Sequence, residues 1–172
     1  LQWSPQRLQV PAFQLGWADA TLGGGVTAQL GGEPDVTATL ALQAPSLRAL
    51  LATVGIAPPP MADPSTLGAL QFSTALKYVQ GAATLDPLSI APDDTNLTGK
   101  LSLPQLKPLS LRFDLTADRV DLDHYLEADD VQSEPFELPL AKLKALDARG
   151  VLRIQQATVA GAAARVVTID VE

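Results

Sequence analysis

From Asp93 to Leu126 apolar and polar residues alternate strictly through two runs. These are Leu97-Thr98-Gly99-Lys100-Leu101-Ser102-Leu103 and Leu111-Arg112-Phe113-Asp114-Leu115-Thr116, and the second leads into Asp121-Leu122-Asp123-His124-Tyr125-Leu126. A period of two sends successive side chains to opposite faces of an extended chain, so each run predicts a strand with one oily and one wet face. The same parity joins Leu22, Val26, Ala28 and Leu30; Val36, Ala38, Leu40 and Leu42; Leu70, Phe72, Leu76 and Tyr78; and Val167, Ile169 and Val171. One-sided patterning of this kind belongs to an antiparallel sheet with one face packed or occupied, since a parallel sheet buried on both faces reads as continuous apolar runs. The expected fold is mainly β: a curved antiparallel sheet of about nine or ten strands, with two or three short helices.

Turn chemistry punctuates the runs at Gly23-Gly24-Gly25, Gly31 to Pro34, Gln80-Gly81, Pro92-Asp93-Asp94, Pro104 to Pro108 and Ala160-Gly161. The apolar parity slips between Leu115 and Val120 and again between Ile154 and Val159, which predicts a bulge or a strand end at both. Helix signals are few. Ser46 is a good N-cap, Leu47, Leu50, Leu51 and Val54 recur at helical spacing, and Gly55 supplies the stop. Shorter helices are predicted over Leu122 to Glu127, capped by Asp121, and over Pro139 to Leu146. The strand from Thr39 to Pro45 running into the first helix resembles that from Arg112 to Asp118 running into the second, which suggests a repeated unit of meander plus short helix.

Composition decides what such a sheet can do. With 172 residues the chain fits one domain, whose folding buries roughly 70% of the surface exposed when unfolded. Aromatic residues make up 5% of it against 47% hydrophobic, so burial rests on Leu, Val and Ala, and stacking platforms for sugars or bases are scarce. A net charge of -7 without a Lys/Arg cluster repels phosphate backbones and excludes a nucleic-acid partner. The chain has no cysteine, hence neither disulfides nor thiolate chemistry. No apolar run is long enough to span a bilayer as a helix. Because the chain opens on Leu1 and closes in a strand-like alternation, it is read as residues 1–172 of a longer protein, with targeting or anchoring segments elsewhere. The strands near Trp3 and Ile169 are then expected to leave edges that pair with the rest of the parent chain or with neighbours in a crystal.

Reactive constellations are sparse, and no catalytic residue, cofactor or metal site is assigned. His124 is the single histidine and no Gly-x-Ser-x-Gly elbow accompanies it, so it reads as a helical surface residue. Asp118, Asp121, Asp123, Asp129 and Asp130 lack the ordered spacing and distal Glu of a calcium loop, which leaves a helix cap at Asp121 and a solvated acidic face. Gly23 to Gly25 and Gly99-Lys100 lack the remainder of a phosphate loop, and Asn96-Leu97-Thr98 reads as a polar turn.

Several phrases, in order, resemble the carboxy-terminal region of AsmA-like proteins: Leu47 to Pro58 with Ala62-Asp63-Pro64, Asp93-Asp94-Thr95 with Leu97 and Gly99, Phe113 to Leu126, and Leu146-Asp147 with Gly150, Leu152, Ile154 and Thr158 to Gly161. The resemblance implies a non-enzymatic module in the periplasm, held at the inner membrane by an anchor outside this segment, that takes part in outer-membrane biogenesis by carrying phospholipid along a hydrophobic β-groove. Acyl chains are then the implied partners. The candidate lining is Leu70, Phe72, Leu76, Tyr78, Leu101, Leu103, Leu111, Phe113, Leu115, Leu152 and Ile154, residues that taken singly read first as a dry core beneath the helices. Two other classes fit parts of the pattern: an extracellular β-sandwich binding or adhesion module with Greek-key connections, and a hydrolase built on His124 or an acidic pair.

Overall fold

The computed structural model describes residues 2–4, 6–53, 55, 66–123, 147–159 and 161–171. Their ten strands form one open sheet in sequential order: β1 (Gln2–Ser4), β2 (Arg7–Trp17), β3 (Ala20–Gln29), β4 (Asp35–Ala44), β5 (Leu70–Val79), β6 (Ala82–Pro92), β7 (Leu97–Leu106), β8 (Leu109–Asp121), β9 (Asp147–Val159) and β10 (Ala162–Val171). The mainly β expectation is met. Every described neighbour in the sheet is a neighbour in sequence, so these strands make neither a Greek key nor a second layer.

Two-residue hairpins account for much of this order. Ala18 and Asp19 join β2 to β3 with φ of 45° and 63°, and Gln80 and Gly81 join β5 to β6 with 52° and 80°. Left-handed backbone at both central positions is what a type I′ turn requires, and its twist matches that of the strands it joins. The triple glycine is a correction. Gly23, Gly24 and Gly25 lie inside β3 rather than in a turn. A Cβ on Gly24 would run into the carbonyl oxygen of Thr39 on β4 and sit 3.3 Å from the ring of its β2 partner Phe13, so glycine is there for close approach.

The bulges also fall elsewhere than the parity suggested. Register shifts occur in β2 between Val10 and Phe13, in β6 between Leu85 and Leu88, and in β7 between Ser102 and Gln105. Each interval contains a proline: Pro11, Pro87 and Pro104. A proline cannot donate to a ladder, so inside a sheet it is tolerated where an extra residue is already unpaired. The slips at Leu115–Val120 and Ile154–Val159 are real, but neither strand ends there and the β8–β9 register is the same on both sides. Asp118, Gln155 and Val166 stand side by side on β8, β9 and β10 without partners in the ladders, so three strands take the extra residue at one level. Val166 absorbs it with a left-handed φ of 56°.

A second correction concerns strand direction. β8 and β9 pair in parallel, whereas all other pairs are antiparallel. Alternation is blind to this, because a strand presents the same faces in either direction. Residues 122–146 supply the long connection that a parallel pair needs.

The one helix among the described residues, α1 (Leu47–Thr53), starts and stops as expected. Ala49 N–H donates to Ser46 Oγ at 3.1 Å, and Gly55 follows with φ of 77°. Its role differs from a lid. It has no buried residue, packs extensively against no strand, and is tied to the approach to β5 by Leu47 N–H to Gly68 O and Arg48 N–H to Leu67 O. The helices expected at Leu122 to Glu127 and Pro139 to Leu146 lie, apart from Leu122 and Asp123, outside the described residues, as does His124.

Candidate functional site

Residues paired across strands project to the same side, so the register assembles faces directly. One row reads Val10, Val26, Ala38, Leu76, Leu85, Leu101, Phe113, Gly150 and Val171 from β2 to β10. The next reads Phe13, Gly24, Leu40, Thr74, Leu88, Gly99, Leu115, Leu152 and Ile169, and the third Leu15, Leu22, Leu42, Phe72, Ile90, Leu97, Ala117, Ile154 and Val167. Tyr78, Ala83 and Leu103 extend the face toward one end, with Leu111 beside Ala148, and Leu70 extends it toward the other. Every candidate lining residue therefore shares one face, and none of these rows contains a charged side chain.

At a strand spacing of about 4.8 Å and a rise of about 3.3 Å per residue, the face from β2 to β10 measures roughly 38 by 33 Å. It is not a sealed interior. Among the described residues no large side chain is fully buried, and most fully covered positions are alanines. Of the candidates only Ile154 is buried, while Leu70, Phe72, Leu76, Tyr78, Leu101, Leu103, Leu111, Phe113, Leu115 and Leu152 are half-buried. The apolar surface runs out to both flanks, with Leu15 at 58% and Ile169 at 44% exposed. Contiguous apolar surface that reaches solvent in this way marks an interaction site.

Glycine and aromatic residues shape the floor. Gly150 is paired with Phe113, and a Cβ there would meet the Phe113 carbonyl and come within 2.6 Å of its ring. With Phe13 against Gly24 this makes two rings lying over glycines, which returns buried apolar area to positions that lack a side chain. Thr74 is the polar exception within the rows, almost fully buried between Leu40 and Leu88.

The opposite face is polar and changes character along the sheet. From β2 to β6 it carries Gln9, Thr27, Thr37, Lys77 and Thr84 in one row, bordering an open trough of about 690 Å³. From β7 onward it is ion-paired. Arg112 reaches Asp147 at 3.0 Å, Ser110 Oγ donates to the same carboxylate at 2.7 Å, Arg153 pairs with Asp114, and Lys100 lies 3.2 Å from Asp86. The Arg112 guanidinium and the Ser110 hydroxyl together hold the Asp147 carboxyl below its ordinary pKa.

The acidic residues near the end where β4 and β8 leave the sheet have a function that spacing did not reveal. Asp93 accepts the N–H groups of Leu67 at 3.0 Å and Gly68 at 2.7 Å, Asp118 that of Asn96 at 2.8 Å, and Asp123 that of Gly161 at 2.8 Å. They tie adjacent connections together, Asp118 while remaining exposed to solvent; Asp129 and Asp130 lie outside the described residues. The Asn96 N–H is the main reason that Asp118 titrates below its usual range. Asp121 accepts the Asp123 N–H at 3.1 Å, and the helix it was expected to cap lies beyond Asp123, outside the described residues. Among the described residues no group of His, Asp and Glu is gathered to hold a metal ion, and no helix is long and apolar enough to cross a membrane.

Set against protein-family models, curated proteins and solved structures, the chain matches none.

Proposed function

We propose that this chain is a non-enzymatic, acyl-chain-binding module of the kind the AsmA resemblance implies, a section of periplasmic β-groove through which phospholipid passes between membranes. The observation that carries the reading is the uncharged apolar face, continuous from β2 to β10, on which the candidate lining residues are half-buried except Ile154. Burial of a CH₂ gains about 0.8 kcal/mol, so one long acyl chain laid on such a face gains on the order of 10 kcal/mol before ordering costs. Hydrophobic area alone supplies that energy, and no polar recognition site is required. Rows at right angles to the strands offer a chain a path across every strand in turn, which suits conduction better than enclosure.

Native mass spectrometry of the gently purified protein tests this. Phospholipid-sized adducts are expected on the wild type. They should be lost from Leu76→Asp and Leu101→Asp, which charge one row on either side of Leu85, while circular dichroism stays that of a β protein. A wild type that is empty on isolation, and stays empty when delipidated protein is offered phospholipid vesicles, would overturn the proposal.

A further inference from the structure

The three central rows of the apolar face hold one hydroxyl, that of Thr74, in the middle row and on the fifth of ten strands. Tyr78 carries its phenol beyond those rows, toward one end of the sheet. Thr74 is 6% exposed, set between half-buried Leu40 and buried Leu88, with Phe72 and Leu76 on the same face of its own strand. Its hydroxyl donates only to the carbonyl oxygen of Ala75, at 3.4 Å. A sound O–H···O bond measures about 2.7–2.8 Å, so this contact is a weak one. Ala75 faces the Asp86-Pro87 interval, where proline has no N–H to offer, and at that distance the hydroxyl is a poor substitute. A covered hydroxyl without a good partner costs stability, and valine would fill the same volume on an apolar face without that cost. The polar atom is placed for a partner that the folded chain does not itself supply.

The surroundings define that partner. A single uncharged donor ringed by leucine and phenylalanine offers little to a phosphate or a free carboxylate, which out of water need a cation or several donors. A neutral carbonyl embedded in hydrocarbon is the complementary group, since it accepts one hydrogen bond and brings apolar chain to the residues around it. The linkage between an acyl chain and glycerol is such a group. We propose that Thr74 Oγ1 donates to the ester carbonyl of a bound acyl lipid, which makes Thr74 the residue that selects ester-linked lipids over ether-linked ones. The linkage then sits near the middle of the face, with its chains laid out along the apolar rows on either side. The phosphate headgroup points away from the sheet into water, in keeping with rows that carry no charge. Half-buried Leu40 is the wall that shifts to admit the carbonyl. The inference rests on the acyl-binding reading above: apolar area supplies the affinity, and the hydroxyl adds the choice of linkage.

Competition between two lipids reads this directly. Delipidated protein is offered vesicles holding equal amounts of ester-linked and ether-linked phosphatidylcholine of the same chain length, and native mass spectrometry separates the two adducts by mass. The wild type should carry the ester-linked lipid in about three- to tenfold excess, the worth of one hydrogen bond. Thr74→Ser keeps the hydroxyl and should keep the excess. Thr74→Val keeps the shape without the hydroxyl, and should take both lipids equally with the total undiminished. The wild-type ratio decides without any variant. Equal amounts of the two lipids on the wild type, or an excess that survives in Thr74→Val, would overturn the inference and leave the acyl-binding reading standing. If neither lipid is retained, that reading falls and the inference with it.

Discussion

β3–β6 and β8–β10 build the same apolar face by different means. In the first region the strands are antiparallel, one proline bulge in β6 corrects the register, and the polar side is mostly small and uncharged. In the second, a parallel pair carries a shared kink, an ion-paired back, and a compact cluster of Ala117, Ile154 and Ala157 flanked by Leu97, Val120, Leu152 and Val167. The kink is what makes that cluster possible. By taking the extra residue at one level, β8 and β9 bring Val120 and Ala157 back to the face already occupied by Ala117 and Ile154. One region is thus a floor whose covered positions are mostly alanines, with Leu88 its one buried large side chain, and the other contains a compact apolar cluster.

Side-chain truncation separates the two most sharply. Ile154→Ala, at a buried site, should cost about 3 kcal/mol, whereas Leu76→Ala, half-buried on the open floor, should cost about half as much. Equal losses in urea unfolding would mean that the floor is as well covered as the cluster, and would count against lipid access. Gly150→Val comes next at about 2 kcal/mol, because the new side chain must displace the Phe113 ring and crowd its carbonyl. Retention of full stability would show that the ring is not seated on the glycine.

Val166→Gly works the other way. A β-branched residue in the left-handed region is strained by about 1 kcal/mol, so glycine should raise the unfolding midpoint. A drop instead would mean that the kink is held by the Val166 side chain. The smallest effect is a pH dependence confined to the side of the sheet that carries Asp118 and Asp147. Both titrate below 3.8 in the folded state, so the unfolded chain binds protons first as pH falls. Their contribution is complete above that ordinary value and is lost as pH drops through the lowered folded values. Asp147→Asn should flatten this acid limb slightly, as seen in urea midpoints collected below pH 4, and should leave stability at neutral pH little changed, since its ion pairs are exposed.

Much of the site was legible without coordinates. Parity alone collected Leu70, Phe72, Leu76 and Tyr78 with Leu101, Leu103, Leu111, Phe113, Leu115, Leu152 and Ile154, and the register puts all of them on one face. Hairpin signals such as Gln80-Gly81 and the capped helix after Ser46 were readable because they depend on a few adjacent residues. The proline bulges were less legible, because Pro11, Pro87 and Pro104 look locally like turn residues. Only pairing with two neighbours reveals a proline inside a strand. The glycines of β3 misled for the same reason: their purpose is the carbonyl of Thr39 and the ring of Phe13, far from them in sequence.

What this sequence determined by itself is a set of strands, each with a greasy side, since side-chain alternation follows from backbone geometry within one strand. Tertiary structure decided that the strands lie in sequential order in one open layer, that β9 runs parallel to β8, and that aspartates at one end tie neighbouring connections together. Those features depend on hydrogen bonds between residues distant in the chain, which no local pattern encodes. The one-sided face follows from that arrangement: the described strands make a single layer, and no second sheet among the described residues packs against its apolar side, whereas two layers would have closed on each other.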